Sequence, residues 1–213
     1  MSDEATIYRD EPLHVYIDDA ASGKPAPGGG SVSACAGALG AALVAMVCNL
    51  TIGKEKFASV EGTVKELVGR ADDCRVRLER LLQDDTTAYN DVIAGYRMPK
   101  DTEEQQAARS AHIQGALKHA ANVPLEIARV ALEVCRLAKV AAELGNPAAV
   151  TDAGIGAILG ESAAQGGALN VKINLGSIKD EEYVAACRRE LDELLAEAAT
   201  LRAEVLAITL EKL

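Results

Sequence analysis

Four groups of residues in this chain have types and spacings that can do chemistry. The first is Asp85, inside LLQDDTTAYND, at a place where an otherwise apolar helical seam carries a carboxylate. Packed among helices, a carboxylate loses solvation, which penalises its ionised form and raises its pKa. Such a group can take a proton and give it back near neutral pH. Tyr89 lies four residues on, over the same helical face. The alternative is that the bundle ends there and Asp85 is simply wet. The second group is Pro27-Gly28-Gly29-Gly30-Ser31, directly before a helical stretch. Bare glycine backbone at a helix start points N–H groups at a ligand, and the helix dipole favours an anion there. Ser31 can cap the helix or bond the ligand. The spacing is neither a P-loop nor a dinucleotide fingerprint, and a flexible helix entry would look the same.

The third group is Asp152 with Asn170 and Asn174. Asp152 and Asn170 share a helical face but stand roughly 27 Å apart along it, so they cannot hold one atom. They can grip opposite ends of a long ligand or serve different sites across a dimer. Asn170 and Asn174 are neighbours, able to act together as amide donors and acceptors, or to hold helices together. The fourth is Asn49, Thr51, Lys54 and Lys56, where an uncharged run meets the next helix. The two lysines are the first positive charges after that run; they are either solvated or ready to hold a carboxylate. His14, His112 and His119 share no constellation, so acid–base work is expected to rest on carboxylates, tyrosine or lysine.

Long helices must position these groups. From Phe57 an apolar seam runs Val60, Val64, Leu67, Ala71, Cys74, Leu78, Leu81, Asp85, Ala88, Val92, alternating steps of three and four. A second runs from Ile113 to Leu144 and a third from Val184 to Ile208. GYRMPKD separates the first two seams, with Asp101 and Glu104 as a capping pair for the next helix. Gly145, Asn146 and Pro147 read as stop, cap and first turn. Ser177 or Asp180 can cap the last helix. Pro124, inside the second seam, should kink its helix and free the carbonyl of Ala120. A short helix is expected over about residues 13–20.

Two segments break the heptad pattern. Residues 25–53 form a run of 29 without charge, and residues 147–176 are rich in Gly, Ala and Ser. The first is long enough to span a membrane. Its bulk is confined to Leu39, Leu43, Met46 and Leu50, whereas a lipid-facing helix needs bulk on all sides. A central helix surrounded by protein fits better. Its stripe Gly30, Ala34, Gly37, Ala41, Ala45 and Cys48 lets another backbone approach closely, which offsets the roughly 1 kcal/mol each interior glycine costs. A hairpin closing near Gly53 would set Ser31 level with about residue 75. Asp85 would then lie about 15 Å beyond, near the glycine entrance.

The fold class expected is all-α: one domain over residues 1–213 of long antiparallel helices. Stripes on helices this long point to a homodimer. With 213 residues, 49% of them hydrophobic, the chain can build a sizeable core. One Phe, five Tyr and no Trp leave Ala, Leu, Val and Ile to fill it, as suits close helices. A net charge of −10 without a basic run argues against nucleic acid as a partner. Five cysteines, none at CxxC spacing, argue against a disulfide framework or zinc site and for a reducing, cytoplasmic setting. MSDEATIYRDEP lacks the basic-then-apolar order of a signal peptide.

PGGGSVSACAGALGAALVAMVCNLTIGKEKF, DDTTAYNDV, NVPLEIA, TDAGIGA and ALNVKINL, in that order, resemble the formiminotransferase-cyclodeaminase C-terminal family. This family includes cyclodeaminase domains and stand-alone bacterial methenyltetrahydrofolate cyclohydrolases. The resemblance spans residues 27–175. Ala26 stands where the family usually has Thr, and Thr151 where it often has Ser. The resemblance implies an all-helical homodimer acting on a tetrahydrofolate one-carbon unit, with no metal or prosthetic group. MVCNLTIGKEKF and YRMPKDTEE look most like the cyclohydrolases, which hydrate the methenyl bridge to 10-formyltetrahydrofolate. The alternative within the family is cyclodeamination of a formimino group with release of ammonia. In either case Asp85 or Asp152 would move the proton, and Tyr89 and Asn174 would orient the pterin or stabilise charge. Asn49 and Asn170 would add substrate contacts, while the backbone of Gly28, Gly29, Gly30 and Ser31, with Lys54, would receive glutamate-tail carboxylates. A competing class, a non-enzymatic helical interaction protein, would need neither a carboxylate on a seam nor a glycine triplet before a helix.

Overall fold

The computed structural model describes residues 6–213. Among them six α-helices follow one another: α1 (Leu13–Ala20), α2 (Gly29–Asn49), α3 (Glu61–Arg97), α4 (Glu103–Leu144), α5 (Val150–Leu175) and α6 (Glu181–Glu211). Short 3₁₀ turns cover Tyr8–Asp10, Glu55–Phe57 and Pro147–Ala149, and no strand occurs among the described residues. The all-α reading holds.

The small-residue segments form the middle of the bundle. A Cβ on Gly40 would lie 2.9 Å from the Gly156 carbonyl oxygen, and one on Gly156 3.1 Å from that of Gly40. The backbones of α2 and α5 therefore touch, and α5 is the backbone that uses the close approach the small-residue stripe allows. The stripe on α2, from Gly30 to Cys48, is buried throughout. By length and composition α2 could cross a membrane; here its small-residue face packs against α3, α4 and α5. The outer faces of α2 and α5 stay apolar and exposed, with Val32, Leu39 and Met46 on one and Ile155, Leu169 and Ile173 on the other.

The seams pack as their spacing predicts. On α4 every seam position from Ile113 to Ala141 is buried. On α3 the seam is closed from Val64 to Leu81 and opens at Asp85 and Val92, both half-buried. That opening is the site.

Helix ends follow the local chemistry with one shift of register. The capping box of α4 uses Thr102 and Gln105, not Asp101 and Glu104. The amide oxygen of Gln105 accepts from the backbone N–H of both Asp101 (2.8 Å) and Thr102 (3.3 Å), which satisfies two free donors of that turn and sets the cap one residue later. Asp180, rather than Ser177, caps α6 through the N–H of Tyr183. Gly145, Asn146 and Pro147 serve as expected. Asn146 also donates to the Leu50 carbonyl, and its backbone N–H donates to Thr51 Oγ1. Those bonds tie the α4–α5 turn to the end of α2.

Candidate active site

Gly28 precedes α2 as its N-cap and offers no side chain to the first turn. Four backbone N–H groups there have no intrahelical partner. The carboxylate of Asp85, delivered by α3, takes one: Ser31 N–H donates to Oδ2 at 2.9 Å. The missing side chain of Gly30 makes the approach possible, since a Cβ there would fall 2.2 Å from Asp85 Oδ1. Burial pushes the Asp85 carboxyl above its ordinary value, and the Ser31 N–H works against that shift. The hairpin register differs from the simple estimate. Residues 50–60 form a turned connection rather than a tight reversal, which moves the midpoint to Ala58 and sets Asp85 level with Ser31.

Asp85 opens into a cavity of about 300 Å³. Pro25, Ala26, Gly28 and Gly29 form one wall, Ala88, Tyr89 and Val92 another, and Ala120, Asn170, Ile173 and Asn174 the rest. Four helices thus converge on one carboxylate. Asn174 shows why α5 is held in place there. Pro124 has no N–H for the Ala120 carbonyl, and Asn174 Nδ2 donates to that oxygen at 2.8 Å and to the Asn170 carbonyl at 3.0 Å. Both amide hydrogens are then committed, so Asn174 offers its Oδ1 as an acceptor only. Asn170 Nδ2 donates to the Gly166 carbonyl at 2.8 Å and lies across Gly29, where a Cβ would come within 3.3 Å of it.

The structure brings Gly28, Gly29, Asp85, Tyr89, Asn170 and Asn174 to one cavity. It places Gly30 and Ser31 behind the carboxylate instead of on the wall. The Ser31 hydroxyl is fully buried and bonded to Tyr16 at 3.0 Å, and its N–H is spent on Asp85. It does not bring Asn49, Lys54 or Asp152 there. Asn49 and Lys54 are exposed at the far end of α2, roughly 27 Å or more away along the helix. Asp152 stands in the first turn of α5, the end opposite to Asn170. A glutamate tail held jointly by Lys54 and the glycine turn is therefore outside the reach of one chain. His112 faces Asp91 at 3.5 Å, and no histidine lines the cavity.

Sequence reasoning missed Ile173, Ala120 and Tyr16 as neighbours of the site. The freed carbonyl at Ala120 was a usable signal, because some donor had to reach it. Nothing in the sequence marked Tyr16.

A larger crevice, about 440 Å³, lies between α3 and α4 and is lined by Arg70, Arg77, Arg129 and Arg136. Each is already paired: Arg70 with Glu133, Arg77 with Glu126, Arg129 with Glu190 and Arg136 with Glu197. It is a self-neutralised ladder with no free cation to offer a ligand. Among the described residues no group of three or more His, Cys, Asp or Glu is clustered as metal ligands.

The sequence pattern of the formiminotransferase-cyclodeaminase family matches residues 12–193. A methenyltetrahydrofolate cyclohydrolase from Methylorubrum extorquens is 42% identical over 92% of this chain and 94% of its own length. The formimidoyltransferase-cyclodeaminase of Sus scrofa is 33% identical over 92% of this chain, which spans 36% of that longer protein. The crystal structure of a formiminotetrahydrofolate cyclodeaminase from Thermotoga maritima superposes with a TM-score of 0.86. It is 30% identical and covers 95% of this chain and 97% of its own.

Proposed function

The chain belongs to the formiminotransferase-cyclodeaminase family, and we propose that it hydrolyses 5,10-methenyltetrahydrofolate to 10-formyltetrahydrofolate. The observation that carries this reading is Asp85: a half-buried carboxylate, raised by burial, holding one hydrogen bond and facing a cavity. Its support in sequence is the 42% identity to a cyclohydrolase of nearly the same length.

The chemistry fits the groups present. The methenyl bridge between N5 and N10 is a cationic amidinium, and an anionic carboxylate in a partly desolvated cavity favours a cation. Asp85 takes one proton from a water as its oxygen bonds to the bridge carbon, giving a neutral tetrahedral intermediate. The carbon–N5 bond then breaks. Asp85 returns its proton to N5, the hydroxyl loses its proton to solvent, and the carbon remains on N10 as a formyl group. One water enters and one proton leaves. Tyr89 and the acceptor oxygen of Asn174 line the wall against which the pterin N–H groups rest.

The protein works as a homodimer without a prosthetic group, in the cytoplasm, with neither nucleic acid nor a membrane as partner. The dimer is supported by the outer faces of α2 and α5, where Leu39, Leu169 and Ile173 are 57%, 68% and 76% exposed. An apolar stripe of that kind on a long helix is commonly covered by a second copy. The net charge of −10 speaks against nucleic acid as a partner, the five unpaired cysteines for a reducing compartment, and the packing of the small-residue face of α2 against α3, α4 and α5 for a helix buried in protein.

A second reading, cyclodeamination of a formimino group, is favoured by the close superposition on the Thermotoga maritima protein. The same carboxylate would serve it. A spectrophotometric assay offering the methenyl and formimino substrates side by side separates the two. Loss of methenyl absorbance with water is the expected result. Release of ammonia with appearance of methenyl absorbance would replace the first reading by the second.

A further inference from the structure

We propose that Tyr16 is a positioning residue for Asp85: its hydroxyl pins Ser31, and Ser31 in turn presents its backbone N–H to the carboxylate. The proposal rests on the assignment of Asp85 as the proton carrier. Three observations support it. α1 exposes Leu13 and Ile17 and buries a single residue, Tyr16, at 7% exposure. The one side chain this helix commits to the interior therefore goes to the first turn of α2. Its hydroxyl lies 3.0 Å from Ser31 Oγ, both groups buried, and the N–H of that same serine lies 2.9 Å from Asp85 Oδ2. The chain ahead of α1 braces the ring. Tyr8 packs edge-on to Tyr16 at 5.3 Å, its hydroxyl donates to Asp19, and its N–H donates to Gln83 on α3, two residues before Asp85.

The relay has little slack. The carboxylate is pressed against the backbone of Gly30, where no Cβ fits, so a small movement of the first turn of α2 moves the donor relative to Asp85. Tyr16 itself carries no proton in the reaction, because burial pushes its hydroxyl up to about 12 and keeps it neutral. Among the described residues no cationic side chain and no second carboxylate lines the cavity. α2 brings Cys35 beside Tyr16, its thiol raised by burial; α3 brings Tyr89; α4 brings Ala120; and α5 brings Asn170 and Asn174. Further out, Arg9 and Glu79 face each other at 3.8 Å. Among the described residues the Ser31 N–H is thus the one contact that favours the ionised carboxylate against burial. Loosening it should raise the carboxyl further.

The test is Tyr16→Phe, which keeps the ring and its contact with Tyr8 and removes the hydroxyl. The expected result is a kcat about 5- to 10-fold lower at pH 7, a KM within twofold of wild type, and the acid limb of the kcat–pH profile moved to higher pH. Ser31→Ala should move the limb the same way, and the double variant should lose no more than the worse single one, because the two act through one bond. Ser31→Ala also serves if Tyr16→Phe does not fold. The Asp85 carboxyl is followed in parallel by carbon NMR, assigned by its loss in Asp85→Asn. An upward move of that titration supports the proposal. An unmoved titration overturns it, whether activity is retained or falls together with the melting temperature. Should wild-type protein turn over neither folate, the proposed function falls, while the titration still decides the role of Tyr16.

Discussion

The two ends of α2 solve the same problem in opposite ways. At its C-terminal end the polar groups close on one another. Thr51 Oγ1 donates to the Val47 carbonyl at 2.7 Å and accepts from Asn146 N–H at 2.8 Å, while the Asn146 side chain donates to the Leu50 carbonyl and accepts from Ala148 N–H. Every group in this Thr51–Asn146 cluster is neutral and has a partner. At the N-terminal end a charged group with room for about four hydrogen bonds receives one among the described residues, from the Ser31 N–H. The closed cluster has nothing left to give a ligand. The open one is costly to the fold and has unspent bonding capacity facing a cavity. A buried polar residue points to chemistry when its partners are too few, and to architecture when they are complete.

The sharpest way to break this contrast is Asp85→Asn. Asparagine keeps the shape and can still accept from Ser31 N–H, but it cannot take a proton. Turnover should fall by roughly 10²- to 10⁴-fold. Stability should move the other way. Burial raises the Asp85 carboxyl, so the native state holds that proton more tightly than the unfolded chain does. As pH rises from the ordinary carboxylate value through the raised one, that part of native stability is lost, and it stays lost at pH 7. Asp85→Asn should therefore melt above wild type at pH 7, with the gap closing below about pH 4, where Asp85 is protonated in both states. Scanning calorimetry at the two pH values and a turnover assay read both halves. Full turnover in this variant would reduce Asp85 to a helix cap.

Asn146→Ala tests the closed end, with a smaller effect of the other kind. It leaves the Leu50 carbonyl and the Ala148 N–H without partners. Loss of a buried partner costs about 1–3 kcal/mol. Urea denaturation should report that loss while kcat stays within twofold of wild type. A large drop in kcat at full stability would mean that the two ends are coupled and the contrast is false.

Much of this was readable beforehand, for physical reasons. Heptad steps fix which face of a helix is buried wherever the side chains are large, and so the α3 and α4 seams could be traced, the α3 seam as far as the point where Asp85 interrupts it. The small-residue stripe predicted that some backbone would come close to α2, because close approach is what interior glycine allows, but it did not say which helix would make the approach. Pro124 announced a free carbonyl at Ala120. What stayed hidden depends on register between helices. The connection over residues 50–60 shifted the hairpin by several residues, and no local pattern encodes such a shift. The same register decides that Ser31 and Gly30 support the carboxylate instead of touching a ligand. Lys54 and Asn49 lay close in sequence to the glycine-rich run but one full helix length from its other end, and composition does not record that distance.

That distance gives the smallest effect and the last test. Lys54 and Asp152 stand at the closed end of the bundle, exposed and half-buried respectively, each a helix length from the cavity. A charge that far from a ligand in the same chain, across more than a Debye length of about 8 Å, is screened. Lys54→Ala and Asp152→Asn should each leave kcat and KM within twofold of wild type, for folates with one glutamate and with several. A tenfold rise in KM confined to long-tailed substrates in Lys54→Ala would mean that the tail crosses to that end of the molecule or meets the lysine of a second copy. A collapse of kcat in Asp152→Asn would move the proton chemistry itself. Either result would open the end of the bundle that now stands closed, because a residue spent on architecture has no route to the turnover number except through the fold.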